Sequence, residues 1–315
     1  MNERELLEAA GRLPKSIEPA RDLWPGIAAR IGRRRRWYWA PLAVAAAVAA
    51  LLVARSFLGR PGVWEVAPLA GIPRVAQAPL TGVGELRVGD TVETDDSSRA
   101  VIHVGDIGRV EVKPGSRLRL LGANPTDHRL ALDLGEIYAR VNAPPRLFFV
   151  ETPAGVAIDL GCAYTLRVDA DGNGFLDVTA GAVEFEWSGR RAVVPLRFRI
   201  EIRPGFGPGV PVVADASDAF RQALQAFEFA RHEAALPRVL ALARRDDAIS
   251  LWHLLARTTG ATRNAVYERL AELVPPPAGV KRDAILRLDR GALDAYWNYL
   301  PHSVWLKGLK KKFRP

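Results

Sequence analysis

Residues 99–120, RAVIHVGDIGRVEVKPGSRLRL, carry the pattern that decides the fold. Apolar residues alternate with polar ones in three short runs, which are Ala100, Ile102 and Val104, then Val110 and Val112, then Leu118 and Leu120. A period of two is typical of half-buried β-strands, because successive side chains point to opposite faces of a sheet. Gly105 and Gly115 separate the runs, as expected of turns. The stretch therefore predicts consecutive short strands.

The same alternation continues downstream. Its runs are Leu130, Leu132 and Leu134, then Phe148 and Val150, then Tyr164, Leu166 and Val168, then Leu176 and Val178. Short strands at this spacing, with turn residues between them, predict an all-β sandwich, roll or barrel over residues 85–203. Helices do not fit, because their apolar period is about 3.6 residues.

Several segments of this region resemble the FecR domain family. They are residues 89–94 (GDTVET), 98–100 (SRA), 112–118 (VKPGSRL), 130–137 (LALDLGEI) with Val141, 148–153 (FFVETP), 160–161 (LG) and 178–183 (VTAGAV). The resemblance covers residues 85–195 and implies a FecR-type β sandwich or roll. Where the family usually has Gly-Thr-x-Phe, residues 161–164 are Gly-Cys-Ala-Tyr, so a role of that threonine hydroxyl does not carry over.

FecR-type proteins are single-pass regulators. They bind an extracytoplasmic-function sigma factor inside the cell and respond to a signal outside it. The resemblance therefore implies a membrane helix, an inner segment that contacts a sigma factor, and an outer domain that senses or binds something. Each of these three parts can be sought in the sequence separately.

Residues 37–58 have the composition of a transmembrane helix. The segment from Trp37 to Ala54 contains no charged side chain, and its apolar character continues past Arg55 to Leu58. As a helix, residues 37–58 would extend ~33 Å, close to the ~30 Å hydrocarbon core of a bilayer. Trp37 and Trp39 lie at one end, where aromatic rings favour the boundary between membrane and water.

The charges around this segment predict its orientation. Four consecutive arginines precede it, namely Arg33, Arg34, Arg35 and Arg36. The positive-inside rule therefore places residues 1–36 in the cytoplasm and residues 59–315 outside the plasma membrane of a bacterium. A cleaved signal peptide is less consistent with so long a leader, which contains five acidic residues. A buried core helix would not normally begin with four arginines.

The inner tail, residues 1–36, carries an apolar stripe. Its members recur at helical spacing and are Leu23, Trp24, Ile27 and Ile31. A segment this short cannot bury a core alone, so the stripe needs an external partner. It lies either on the lipid surface or in a groove on a cytoplasmic regulator, for which the resemblance implies a sigma factor. The tail contains neither His nor Cys, which excludes the zinc-finger variety of anti-sigma factor.

The C-terminal part changes to a helical period. Residues 204–217 are rich in proline and glycine and are interpreted as a linker, and residues 218–315 are predicted to be all-α. Residues 251–255 (LWHLL) and 274–280 (VPPPAGV) resemble a C-terminal extension of some FecR-like proteins, which implies packing and partner contact. The basic residues 305–314 form either a solvated tail or a segment attracted to anionic lipid or wall polymer.

The net charge of +9 is unevenly distributed along the chain. Residues 1–36 hold nine Lys or Arg against five Asp or Glu, and residues 216–315 hold seventeen against ten. Residues 59–215 hold seventeen against twenty and are slightly acidic. A nucleic-acid-binding face needs basic residues clustered on one module, so direct binding of nucleic acid is not expected.

One segment has the spacing of a calcium-binding loop. Asp169, Asp171, Asn173, Gly174 and Asp177 occupy positions 1, 3, 5, 6 and 9 of that pattern, but Ala180 stands where a bidentate Glu is needed. The Asp-Gly-Asn-Gly sequence is also a hairpin-turn signal, and it lies between two predicted strands. A plain turn is therefore favoured over weak calcium binding.

The remaining polar residues predict no catalytic, cofactor or metal site. The five histidines are too far apart in sequence to form a metal-ligand motif. His253 lies in an apolar segment and is interpreted as packed and hydrogen-bonded, and Cys162 as a buried, inert thiol. The pairs Asp95 with Asp96 and Asp246 with Asp247 are interpreted as solvated caps.

These observations predict six segments, which are a cytoplasmic amphipathic tail (1–36), a transmembrane helix (37–58), a linker (59–84), a FecR-like β domain (85–203), a second linker (204–217) and a helical region with a basic tail (218–315). The function they favour is a single-pass membrane signalling regulator that modulates an extracytoplasmic-function sigma factor. The alternative is a non-catalytic envelope scaffold, bound to lipid and to an envelope protein or wall polymer, whose inner tail is only an anchor.

Overall fold

A computed structural model of the chain describes Pro25 and residues 62–301. The residues predicted for the inner stripe and the membrane boundary lie outside this part, namely Leu23, Trp24, Ile27, Ile31, Arg33, Arg34, Arg35, Arg36, Trp37 and Trp39. Within the described residues, no helix is long and apolar enough to span a bilayer.

The described chain begins with eighteen strands. They are β1 (Val63–Ala70), β2 (Arg74–Val75), β3 (Ala78–Pro79), β4 (Gly84–Arg87), β5 (Thr91–Glu93), β6 (Arg99–Val104), β7 (Gly108–Val112), β8 (Arg117–Asn124), β9 (Asp127–Val141), β10 (Phe148–Thr152), β11 (Gly155–Asp159), β12 (Ala163–Val168), β13 (Gly174–Ala180), β14 (Ala182–Trp187), β15 (Arg190–Pro195), β16 (Phe198–Arg203), β17 (Gly207–Pro208) and β18 (Val212–Val213).

The strands form two sheets that share one long strand. The first sheet has the order β4-β1-β6-β7-β9-β12-β13-β16, with β17 and β18 both paired to β16. The second has the order β3-β2-β5-β8-β9-β10-β11-β14-β15. All these pairs are antiparallel except β9 with β10, which is parallel.

The shared strand β9 changes sheets at Gly135. Residues 127–134 pair with β8 and residues 137–141 pair with β7. The fully buried side chains have even numbers before the change, at Leu130 and Leu132, and odd numbers after it, at Ile137 and Ala139. A shift of one residue turns the other face of a strand inward, so the parity change marks a bend. Gly135 has a φ of +94°, which only glycine adopts easily.

The predicted alternation is confirmed by burial. Every apolar residue that defines the runs between residues 99 and 120 is fully buried. The two inner faces form one continuous core, which extends into the helical region. Leu134, at the edge of the change in β9, is only half-buried. The all-β fold followed by helices is therefore the fold that the sequence pattern predicts.

Six helices follow the strands in the described residues. They are α1 (Asp218–Glu228), α2 (Leu236–Leu242), α3 (Ala248–Arg257), α4 (Gly260–Leu273), α5 (Arg282–Leu286) and α6 (Arg290–Trp297), with 3-10 turns at Glu233–Ala235 and Arg245–Asp247. The hydroxyl of Ser217 caps α1 by accepting a hydrogen bond from the Phe220 amide at 3.2 Å. The Tyr296 hydroxyl donates to the carbonyl of Val274 at 2.5 Å and so ties α6 to the end of α4.

The proline- and glycine-rich residues 204–217 hold the two short strands β17 and β18. Residues 207–211 are all buried, and β17 and β18 lie along the outer side of β16. Proline is tolerated in short edge strands, because its missing N–H removes no ladder bond there. The Ser250 hydroxyl, on α3, donates to the carbonyl of Pro211 at 2.6 Å. This segment therefore joins the helices closely to the first sheet.

Candidate functional site

Three element ends meet where the helices pack against the strands. Arg190 begins β15, Glu228 ends α1 and Arg257 ends α3. We call this cluster of three residues the junction triad. Its members are separated by 29 to 67 positions in sequence, and only the packing of α1 and α3 on the sheets brings them together.

The carboxylate of Glu228 is the centre of the triad. Its side chain is 4% exposed, and its Oε1 accepts hydrogen bonds from both Arg190, at 3.0 Å, and Arg257. Its Oε2 accepts from the backbone N–H of Val210 at 2.7 Å. A buried carboxylate is tolerated only when it is paired and hydrogen-bonded, and Glu228 satisfies both conditions.

The two arginines extend these contacts to the β17 segment. Arg190 donates through Nε to the carbonyl of Pro208 at 3.0 Å, and Arg257 donates through Nη2 to the carbonyl of Gly209 at 3.2 Å. The Arg190 guanidinium also lies 3.9 Å from the centre of the Phe206 ring. Cation–π contact and the fixed geometry of the guanidinium together hold Arg190 in place.

A cavity of about 450 Å³ opens beside the triad. Arg190, Arg257 and a third arginine, Arg231, line it together with Trp187 and the hydroxyl-bearing Thr259 and Thr262. Burial lowers the pKa of Arg190 to about 10, and repulsion from Arg257 and Arg231 acts in the same direction, while Glu228 opposes it. The pocket thus holds positive charge that Glu228 only partly neutralises.

His253 connects α3 to the edge of the second sheet. Its Nε2 accepts a hydrogen bond from the backbone N–H of Val193 at 3.2 Å, and its Nδ1 lies 2.9 Å from the carbonyl of Ile249. The Val193 contact needs an unprotonated Nε2, so the ring is neutral with its proton on Nδ1. Burial lowers its pKa to about 3. His253 is therefore a packed, hydrogen-bonded residue, as the sequence predicts.

Cys162 is buried, in agreement with the prediction, and contacts a partner that the sequence did not reveal. Its thiol donates to Oδ2 of Asp159, whose Oδ1 accepts from the Gly161 amide at 2.6 Å. Burial raises the pKa of Asp159 to about 6 and that of Cys162 well above its ordinary value. The Tyr164 hydroxyl, also buried, has no hydrogen-bond partner in the described part of the chain.

The segment with calcium-loop spacing is a hairpin turn between β12 and β13. Oδ1 of Asp169 accepts from the amides of Asp171 and Asn173, both at 2.9 Å. Gly172 has a φ of +79° and lies at the tip of the turn. Across residues 62–301, no group of three or more His, Cys, Asp or Glu side chains is arranged to hold a metal ion.

The two acidic pairs differ from each other. Asp95 is exposed and accepts from the amides of Ser97 and Ser98, and these bonds lower its pKa to about 2. Asp247, predicted to be a solvated cap, is fully buried, so that prediction is wrong. The 3-10 turn brings its carboxylate back to the Arg244 amide at 2.8 Å, and burial raises its pKa.

Most of the β region matches a known protein family. Residues 90–184 match the family described as "FecR protein". This segment matches a FecR domain. The match begins next to β5 and ends in β14, so the matched segment includes Asp159, Cys162 and the bend at Gly135. All three residues of the junction triad lie after its end.

Solved structures give a weaker likeness. Two crystal structures of a "putative anti-sigma factor" from Parabacteroides distasonis ATCC 8503 are similar, with TM-scores of 0.35. The first, at 17% identity, aligns with 42% of this chain and 63% of its own, so this chain spans less than two thirds of it. The second, at 16% identity, aligns with 47% and 73%. No curated protein matches the chain.

The sequence did not indicate the junction triad. Arg190 belongs to a hairpin segment, Ser-Gly-Arg-Arg, and Glu228 and Arg257 lie at the ends of amphipathic helices where charged residues are common. The one available signal is that Glu228 follows the apolar face of α1 at residues 220 and 224, which places it on the buried side.

Proposed function

We propose that this chain is a single-pass, FecR-type membrane regulator of an extracytoplasmic-function sigma factor. The observation that carries the proposal is the FecR domain at residues 90–184. The proposed role is regulatory rather than catalytic. In this proposal the FecR domain and the helices that follow it lie outside the bacterial plasma membrane, where they contact an envelope protein, a wall polymer or another signal.

The proposed anchor is the apolar segment at residues 37–58. Its length suits a bilayer, and the four arginines from Arg33 to Arg36 support a cytoplasmic N-terminus. Strand β1 begins at Val63, five residues after the end of this segment. In the proposed topology the strands and helices that follow the segment lie on the outer side of the plasma membrane.

The proposed contact with the sigma factor is the stripe formed by Leu23, Trp24, Ile27 and Ile31. An amphipathic helix that docks in a groove uses apolar anchors at this spacing. In this topology residues 1–36 lie on the cytoplasmic side, where a sigma factor would bind. The stripe is the most apolar cluster in that segment before the arginines.

Co-purification from membranes tests this proposal. The full-length chain would be compared with a variant in which Leu23, Trp24, Ile27 and Ile31 are all changed to Ala, followed by mass spectrometry of bound proteins. A matched control changes Leu6 and Leu7, which lie in the same tail before Pro14, to Ala. We expect a sigma factor with the full-length chain and the control, and none with the stripe variant.

The same experiment distinguishes the rival function. If no sigma factor accompanies any of the three proteins, although each is intact and inserted, the envelope scaffold becomes the better account. Digestion of spheroplasts with an added protease tests the topology separately. We expect cleavage of the FecR domain in intact spheroplasts, and its protection there would contradict the proposed orientation.

A further inference from the structure

The junction triad carries an excess buried positive charge. One carboxylate, Glu228, serves two guanidinium groups, and both of its oxygens are already engaged. Arg257 is 10% exposed and Arg190 is 29% exposed, so water solvates neither group fully. Buried charges are normally matched by opposite charges. Here two guanidinium groups share one carboxylate, which leaves one positive charge without a matching anion.

A third guanidinium faces the same cavity. Arg231 lies just beyond the end of α1 and lines the cavity wall, and no residue in the described part of the chain forms a hydrogen bond or ion pair with it. Within residues 62–301, the one other carboxylate that lines the cavity is Glu233, which is exposed. Three arginines therefore meet two carboxylates, one of which is already shared within the triad.

Other groups along the wall suit an oxyanion. Thr259 precedes the first turn of α4, and its side chain does not cap that helix. The first amides of a helix and threonine hydroxyls are donors that commonly bind anions. Trp187 and Phe227 supply apolar surface in the same cavity. The wall therefore combines cationic donors, neutral donors and aromatic carbon.

We propose that the cavity beside the junction triad binds a small ligand through an oxyanion, a phosphate or a carboxylate, with Arg231, Arg190 and Arg257 as the charged donors and Trp187 against its apolar body. Guanidinium groups bind both oxyanions through paired hydrogen bonds. The site lies outside the FecR match and does not require a sigma factor. It gives the helical region a binding role of its own.

Calorimetric titration of the full-length chain in detergent tests this proposal. Three probes are used separately, namely phenyl phosphate, benzoate and inorganic phosphate. Arg231→Gln removes one charged donor without disturbing the triad. Arg238→Gln is the matched control, because Arg238 is an exposed arginine on α2 that does not line the cavity. Each variant is checked for an unchanged melting temperature before titration.

We expect saturable binding of at least one aromatic probe, with one site per chain. Arg231→Gln should weaken it about tenfold, as expected for loss of a charge-assisted hydrogen bond, and Arg238→Gln should leave it unchanged. Preference for phenyl phosphate or for benzoate identifies the oxyanion.

Binding of inorganic phosphate as tight as that of phenyl phosphate would contradict the proposed contact between Trp187 and the apolar part of the ligand. No binding at millimolar concentrations, or equal losses in the two variants, overturns the assignment. Since no sigma factor is present, these outcomes are independent of the regulatory proposal.

Discussion

The Nε2 of His253 accepts a hydrogen bond from the backbone N–H of Val193 at 3.2 Å, so a helix side chain caps the edge of the second sheet. Among the described strands, β15, which contains Val193, pairs with β14 alone. Exposed strand edges promote unwanted pairing between molecules, and proteins often cover them. In this protein α3 covers part of this edge, and the neutral imidazole accepts a hydrogen bond from a half-buried amide.

Replacing this imidazole should destabilise the chain. His253→Leu leaves the half-buried Val193 amide without its partner, and we expect a loss of about 1–3 kcal/mol in the free energy of unfolding, measured with urea at pH 7.5. His232→Leu is the control, because His232 is exposed and its side chain caps no helix. Equal stability of the two variants would show that the contact with Val193 contributes nothing.

The same residue should make stability depend on pH. The pKa of His253 is lowered from 6.5 to about 3, so the unfolded chain binds a proton between these values that the folded chain does not. The contribution of neutral His253 to the free energy of unfolding is fully present above pH 6.5. It decreases as the pH falls towards 3. Urea unfolding of the wild-type chain and of His253→Leu between pH 7.5 and 4.5 checks this. Their difference in stability should shrink towards low pH, and a constant difference would contradict the assignment.

Asp159 should make the stability of the chain depend on pH in the opposite direction, with lower stability at higher pH. Burial raises its pKa from 3.8 to about 6, so the folded chain binds the proton more tightly. Its stabilising contribution is complete below pH 3.8 and is lost as the pH rises through about 6, by about 3 kcal/mol in total. Asp159→Asn should therefore gain stability relative to wild type as the pH rises from 4 to 7. His253→Leu should retain this dependence, and an unchanged slope in Asp159→Asn would rule out Asp159 as its source.

Glu228 should be the most sensitive member of the junction triad. Glu228→Gln leaves Arg190 and Arg257 buried without an anion, and breaking such a pair costs about 3–5 kcal/mol. The matched control is Glu272→Gln, which removes an exposed ion pair with Arg269 and should cost less than about 1 kcal/mol. Thermal and urea unfolding of both variants gives the comparison. A small loss in Glu228→Gln would mean that water already solvates the two arginines.

The bend in β9 gives a prediction about backbone geometry. An added Cβ at Gly135 would collide with Ser116, whereas Gly89 has a similar φ of +98° and open space around it. Gly89→Ala should therefore cost about 1–2 kcal/mol from the left-handed conformation alone. Gly135→Ala should cost clearly more, because β8 must also move. Urea unfolding of the two variants tests this, and equal costs would show that β8 adjusts freely.

Local patterns explain why most of the β fold could be predicted. Between Ala100 and Leu120, the alternation of apolar and polar residues indicates which side chains face the core, so no knowledge of distant contacts is needed. The bend at Gly135 is also visible in the sequence, because the apolar positions change from even to odd numbers there. The match to the FecR family model covers the same part of the chain, at residues 90–184.

Features that depend on distant contacts could not be predicted in this way. Glu228 and its two arginines come from three separate elements, and nothing in their spacing indicates that they meet. The proline- and glycine-rich residues 204–217 have the composition of a loop, but β16 and α3 cover them and stabilise two short strands. The position of Asp247 at a predicted helix start favours a solvated cap, whereas a 3-10 turn directs its side chain inward.

The proposed contact between Trp24 and a sigma factor is tested most directly by site-specific photo-crosslinking. A benzophenone amino acid is placed at Trp24 in the full-length chain within its native membrane. The control position is Ala29, which falls on the opposite face of an ideal helix. We expect a crosslinked product that contains an extracytoplasmic-function sigma factor from position 24 and none from position 29. Crosslinks from position 24 to lipid alone, with the protein inserted and intact, would contradict the claim.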